Sequence, residues 1–339
     1  MKSLFLRLCV LVGIGAPAAC LAGVLLTRPL PATRPVMDLP RVEFPWSHAV
    51  PPQLAAASVD PDQVFTEDPC NWRPAITPLA QDLVKDCRTA REAVLTMAAK
   101  LPAATGVYYT TDRRKANMNA LEALAEKKVS CTGQSILLAC ALRAVGIPAR
   151  VCGLLTWHHI QGNHTWTEAW FDGEWHMIEF NEKDFNSAWV MSYIGMLDPS
   201  VPFEHIKAVT PDGKDTFYPP LIAAQIGLPP TAAEDVTERY MELSRRWHEQ
   251  NGQPANVQRL LVDVQPRTAE PRTIILLAAD GTEIDRGTLP LVSDDANKLT
   301  TLNLPRTGQC YLQLPGSPDK LPVQATQNAV QMLRLKADK

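Results

Sequence analysis

The chain has 339 residues, of which 46% are apolar and 20% charged, the ordinary balance of a globular protein. With 33 basic and 36 acidic residues the net charge is −3, which gives no footing for a nucleic-acid partner. The length admits two domains, and the 29 prolines, dense over 28–78 and again over 199–230, predict extended connections there.

The chain starts with a targeting pattern. Lys2 and Arg7 precede a nearly continuous apolar run over 8–26, about 19 residues, enough to span a bilayer if retained. Ala16-Pro17-Ala18 and Cys20-Leu21-Ala22 offer small-residue cleavage sites. Residues 1–27 are therefore expected to be a cleaved signal or a membrane anchor. A lipoprotein site at Cys20 is the weaker fit, since Pro17 stands where an aliphatic residue is preferred. Each reading places the mature chain outside the cytoplasm, touching a membrane only through this segment. In an oxidising compartment exposed thiols pair, and Cys70 and Cys87 are the expected pair. There is no CxxC, so a zinc ribbon is not expected.

Next comes helical spacing over 79–100 (Leu83, Ala90, Val94, Met97), then a second helix over 117–128. A third, over 130–145, is apolar nearly all round and therefore buried, and Gly146 and Pro148 end it. Residues 149–155 read as a buried strand. Residues 164–171 and 174–180 alternate on either side of Asp172-Gly173, a strong two-residue hairpin signal. Thr231 and Glu234 fit a capping box opening a helix to about 249. From 257 the period becomes two, with strands expected at 258–265, 273–278, 300–304, 311–314 and 327–335. That tail, 257–339, is expected to be a small β-sandwich, with a boundary at 252–254 allowing 79–250 to fold without it.

The chemistry gathers at Cys131. It stands at the start of the buried helix, where unpaired N–H groups and the helix dipole favour an anion, hence a thiolate nucleophile. A base must hold the proton and return it to the leaving amine. His164 opens the first hairpin strand. With Phe171 opposite Glu174, Trp166 falls opposite Glu179 and Asn181 opposite His164, so Glu179 is a diagonal neighbour of His164 on one face. A carboxylate there orients the imidazole and stabilises its charged form. Glu182 has the opposite parity and needs a bulge to reach; Asn181 is a second rival, since an amide can also orient an imidazole.

These residues resemble a known family. Ser130-Cys131-Thr132-Gly133-Gln134-Ser135-Ile136, then Gly146-Ile147-Pro148-Ala149-Arg150-Val151, then Gly162-Asn163-His164-Thr165-Trp166-Thr167-Glu168 and Gly173-Glu174-Trp175 are similar to the transglutaminase-like core, in order and spacing. The likeness is to bacterial exported members and runs from 79 to 240, through Ala188-Trp189 and Val236-Thr237-Glu238-Arg239-Tyr240. It implies a papain-like α+β fold, with a helix packed on an antiparallel sheet. It departs in the third residue: the family's usual Asp is Glu179 here, and a variant with Glu-Pro three residues later would point to Glu182, followed here by Lys183.

Blander roles compete. Cys140 and Cys152 fit core packing. His158, His159 and His164 lack acidic or cysteine partners at metal-ligand spacing, so no metal is expected, and no calcium loop is present. Trp166, Trp170 and Trp175 suit hairpin packing, and Glu168 a salt bridge with Arg143 or Arg150. The expected protein is a monomeric, cofactor-free, exported cysteine hydrolase acting on a protein or peptide, with Cys131, His164 and Glu179 as its triad. A crosslinking acyltransferase and a catalytically idle binding module are the alternatives.

Overall fold

A computed structural model of the chain describes residues 43–158, 160, 162–251, 257–314, 318–327 and 330–336. The targeting segment at 1–27 and the boundary at 252–254 lie outside the described residues. No helix among the described residues is long and apolar enough to cross a membrane.

The proline-rich stretch is more ordered than its composition predicts. Helices Pro52–Ser58 and Arg73–Val84 lie in it, and Phe44, Trp46, Val64, Phe65 and Trp72 are buried. Proline stands in the first turn of both helices, where its missing N–H costs nothing. The helical pattern read over 79–100 is two helices, Arg73–Val84 and Ala90–Thr105. The break is set at Thr89, whose hydroxyl accepts from the Glu92 N–H while the Glu92 carboxylate accepts from the Thr89 N–H. This division also corrects the expected disulfide. Cys70 and Cys87 are free thiols. They flank the helix Arg73–Val84, whose 12 residues hold its ends ~18 Å apart, far beyond the reach of an S–S bond.

The helix Cys131–Ala144 forms the centre of the molecule. Ile136, Leu137, Leu138 and Leu142 are fully buried, each stabilising by roughly 1.5–3 kcal/mol relative to exposure. They share one core with Ile76, Val94, Met97 and Leu101 of the preceding helices and with Val151, Ala169 and Phe171 of the sheet. That sheet has six strands in the order Glu174–Ile178, His164–Phe171, Ala149–Leu154, Lys207–Val209, Ala232–Asp235 and Asp215–Thr216. Every pairing in it is antiparallel. Alternate residues face opposite cores: Ala149 and Val151 face the helix, Cys152 and Leu154 the other side.

The second core joins Cys152, Leu154, Trp166 and Met177 to the helix Ala188–Ile194 and to Tyr240 of the helix Thr237–Gln250. The capping box read at 231–234 is instead the strand Ala232–Asp235. Its sheet pairing, and the approach of Glu234 to Arg150 at 2.8 Å, hold it extended. The helix starts at Thr237, whose N–H and hydroxyl both donate to Asp235.

The tail forms a three-stranded sheet (Thr300–Pro305, Val257–Gln265, Val330–Lys336) and a four-stranded one (Glu283–Thr288, Thr273–Ala278, Cys310–Gln313, Leu321–Val323). Leu260, Val262 and Leu302 of the first share an apolar cluster with Ile274, Leu276 and Leu312 of the second. Two of these strands escaped sequence reading. Glu283–Thr288 is largely exposed and polar at the sheet edge, and Leu321–Val323 is three residues long with a central proline. Leu261, Leu299 and Val330 of the tail lie in the second core, and residues 42–339 form one compact unit. This shared core counts against the expectation that 79–250 folds without the tail.

Candidate active site

Cys131 is the first residue of its helix. Ser130 caps it: the hydroxyl accepts from the Gly133 N–H at 3.0 Å and donates to the Ala116 carbonyl. The free N–H groups of the first turn therefore surround the thiol end. Thr165 and Thr167 tie the hairpin to the helix through the Thr132 hydroxyl and the Ser135 carbonyl, each at 3.1 Å. Gly153 lets the next strand come close: a Cβ there would lie 2.3 Å from the His164 carbonyl oxygen.

The hairpin has the register read from Asp172-Gly173, with Phe171 opposite Glu174 and Thr167 opposite Ile178. The ladder ends there, and the chain turns. Glu182 donates its N–H to Glu179, and Asn181, at φ 73°, donates its N–H to Ala98. Glu179 is thereby left beside His164, its carboxylate 2.6 Å from Nε2. The other two candidates do not make this contact: the backbone N–H groups of Asn181 and Glu182 are held in the turn, and both residues line the cavity wall. The His164 ring is packed by Trp157, Trp166 and Trp189, with ring centroids 6.2, 5.8 and 4.6 Å away. Trp166 thus serves packing; its indole N–H donates to Tyr240 at 2.6 Å.

The structure adds a residue that sequence reasoning missed. Asp295, in a loop between tail strands, places Oδ2 3.4 Å from His164 Nδ1. The Cys131 sulfur, a ring nitrogen of His164 and a carboxylate oxygen of Asp295 all lie within 4.8 Å of one another. Burial opposes charge on His164, yet contacts with Asp295, Cys131 and Glu179 outweigh it and raise the imidazole's pKa well above its ordinary value. Burial likewise opposes the Asp295 anion, and His164 with the Asn297 N–H holds its pKa below the usual carboxylate value. Tyr109, whose oxygen accepts from the Ala296 N–H, is pushed up to about 12 by burial and then by the Asp295 charge. Arg267 fixes the loop by donating to the carbonyls of Asp295, Ala296 and Lys298. The amide of Asn297 donates to Asn163 at 2.7 Å. No local signal marks Asp295, since Asp294-Asp295-Ala296-Asn297 reads as a polar turn.

The remaining candidates take structural roles. Glu168 is fully buried and pairs with Arg150 at 2.8 Å, with Arg239, and with the Tyr240 hydroxyl at 2.7 Å. Arg143, the other proposed partner, donates to the carbonyls of Ala149, Pro61 and Gln63. His158 contacts Glu204 at 2.8 Å, and His159 lies outside the described residues. Cys140 and Cys152 are buried in the two cores, where burial pushes both thiols up and away from reactivity. A cavity of about 280 Å³ opens on Cys131, His164, Glu179, Tyr109 and Asp295.

The segment that carries Cys131, His164 and Glu179 has a counterpart among known protein families. Residues 77–180 match the transglutaminase-like superfamily. Members of that superfamily are typically cysteine-dependent enzymes. Among solved structures the chain is similar to red sea bream transglutaminase, with 11% identity, 83% of this chain and 66% of that one covered, and a TM-score of 0.41. It is also similar to the periplasmic domain of TgpA from Pseudomonas aeruginosa, with 22% identity, 33% and 45% covered, and a TM-score of 0.26. A candidate cysteine protease from Cytophaga hutchinsonii is a third, with 20% identity, 32% and 38% covered, and a TM-score of 0.29. The chain spans less than two thirds of each of these proteins. Nothing matched among curated proteins. The matched segment 77–180 holds Cys131, His164 and Glu179, whereas Asp295 reaches the site from outside it.

Proposed function

We propose that this protein is an exported, cysteine-dependent amide-bond hydrolase acting on a protein or peptide, with Cys131 as nucleophile, His164 as acid and base, and Glu179 as the residue that orients His164. The observation that carries the reading is His164 itself, held by Glu179 through Nε2, with Asp295 3.4 Å from Nδ1 and the Cys131 sulfur within 4.8 Å of a ring nitrogen. The charged start and apolar run at 1–27 support export. The two tail sheets with their common apolar cluster support reading 257–339 as a small β-sandwich.

In this reaction the Cys131 sulfur attacks the amide carbon, and the Cys131 proton passes through His164 to the leaving amine. The developing oxyanion faces the first turn of the helix, where the Cys131 N–H supplies one donor. Amine departs, leaving a thioester. Water then attacks, His164 takes its proton, and collapse releases a carboxylic acid and restores the thiol. Glu179 keeps the imidazole in the tautomer and rotamer that both steps need.

The test is a peptide and glutamine-substrate screen in heavy-oxygen water with a labelled primary amine present. Hydrolysis puts heavy oxygen into the product carboxylate and is lost in Cys131→Ser. Incorporation of the amine instead, well above the Cys131→Ser background, would establish the crosslinking reaction. Absence of both across a broad screen, together with unreactive Cys131, favours an idle module.

A further inference from the structure

Acyl transfer through a cysteine needs Cys131, His164 and an orienting group, and Glu179 already fills that third role. Asp295 is surplus to this chemistry, yet the fold takes care to place it. Arg267, Tyr109 and Asn297 pin its loop, and its carboxylate side chain is only 9% exposed. Its Oδ2 and the His164 Nδ1 are both buried and both lack a hydrogen-bond partner, although they lie 3.4 Å apart. The pair is close enough to attract but is not aligned to bond. Two orphaned polar atoms so deeply buried cost free energy unless a third body satisfies them. A ring nitrogen of His164 and a carboxylate oxygen of Asp295 lie within 4.8 Å of one another and of the Cys131 sulfur.

The donor set is one thiolate sulfur, one imidazole nitrogen and one carboxylate oxygen. It resembles the ligand chemistry of Zn²⁺ far more than that of Ca²⁺ or Mg²⁺, which demand oxygen. The second ring nitrogen of His164 bonds to Glu179, the carboxylate support that metal-bound imidazoles ordinarily receive. The cavity beside Cys131 leaves room for water as a fourth ligand.

We propose that Cys131, His164 and Asp295 form a binding site for a thiophilic divalent cation, Zn²⁺ foremost, and that the bound cation holds the thiol in a silent form until it is withdrawn. Cys131 and His164 together give up one proton to the buffer, so that the sulfur binds as thiolate and Nδ1 with its lone pair free. Sulfur, nitrogen and carboxylate each donate an electron pair to the metal, and nothing is oxidised or reduced. Metal and acyl group compete for one sulfur, so occupancy and catalysis exclude each other. The site follows from the donor geometry and stands whether or not the hydrolase reading holds.

The full mature chain, stripped of metal by chelation, is titrated with Zn²⁺ and separately with Co²⁺. One equivalent of Zn²⁺ is expected to shield Cys131 from iodoacetamide, and a chelator to restore its labelling. Co²⁺ is expected to show a thiolate charge-transfer band and the strong visible absorption of a four-coordinate site. The charge-transfer band should vanish in Cys131→Ser. Asp295→Asn keeps the loop's shape and should weaken metal binding at least about tenfold. No protection of Cys131 in the unmodified chain, or no charge-transfer band, overturns the proposal without recourse to any variant. Metal binding of unchanged strength in a folded Asp295→Asn protein overturns the assignment of Asp295 as a ligand.

Discussion

At the scale of single residues, the contacts that hold His164 decide the chemistry of the site. His164→Ala is expected to lower kcat by roughly 10²–10⁴-fold, the usual contribution of a positioned acid–base group. Glu179→Gln should lower it by less but measurably, because an amide still fills the space while losing the charge behind the ring. Glu182→Gln should cost far less than Glu179→Gln, since Glu182 is held in the turn by its backbone. Steady-state kinetics on the three variants checks the order, and a larger loss at Glu182 would reverse the assignment. Glu179 was legible in the sequence because an Asp-Gly hairpin fixes register and therefore parity, and the observed ladder has that register. Asp295 was not legible, because it reaches His164 only through the docking of the tail, and nothing within the turn at 294–297 encodes that docking. The Cys70–Cys87 pairing failed for a related reason: flanking one helix in sequence means standing at its two ends in space.

At the scale of elements, the hairpin and its neighbouring strand set the position of His164. Gly153→Ala would place a methyl 2.3 Å from the His164 carbonyl oxygen. Backbone cannot yield cheaply, so a loss of about 1–3 kcal/mol in stability is expected. A fall in kcat at unchanged KM should accompany it as His164 shifts. An unaltered unfolding midpoint would show that the two strands are less tightly joined than described. The Glu168 cluster fastens the same hairpin to the helix Thr237–Gln250 through Arg239 and Tyr240. Burial opposes the Glu168 anion, but Arg150 and Arg239 win and lower its pKa. A lowered folded pKa means stability is full above the unfolded carboxylate value and is lost as pH falls through the folded one. Acid unfolding is therefore expected to draw on this residue. Glu168→Gln, which takes the charge partner from Arg239 and leaves buried Arg150 only Glu234, should cost roughly 3 kcal/mol near neutrality. It should also flatten the acid limb of the stability curve; an acid limb as steep as the parent's would place that dependence elsewhere. The buried helix, the hairpin and most tail strands showed in the sequence through strong periods and turn residues. The strand Ala232–Asp235 did not, since a sheet pairing and the Arg150 contact overrode a sound capping signature.

At the scale of the molecule, the tail is part of both the core and the site. Leu261, Leu299 and Val330 pack with Trp166 and Tyr193, and the Leu299 N–H donates to the Tyr193 hydroxyl at 3.1 Å. Heating is therefore expected to unfold residues 43–336 in one transition, and two well-separated transitions by calorimetry would restore the independent domains that the change of period suggests. The central claim, that the fold activates Cys131 through His164 and Glu179, can be tested without knowing any substrate. Chelated, metal-free protein is treated briefly with iodoacetamide, and labelling of each cysteine is timed by peptide mass spectrometry, in the parent, His164→Ala and Glu179→Gln. Cys131 is expected to react well ahead of the half-buried Cys70 and Cys87, and to lose that lead in His164→Ala and part of it in Glu179→Gln. Labelling of Cys131 no faster than Cys70 or Cys87, or equally fast in all three proteins, would contradict the central claim.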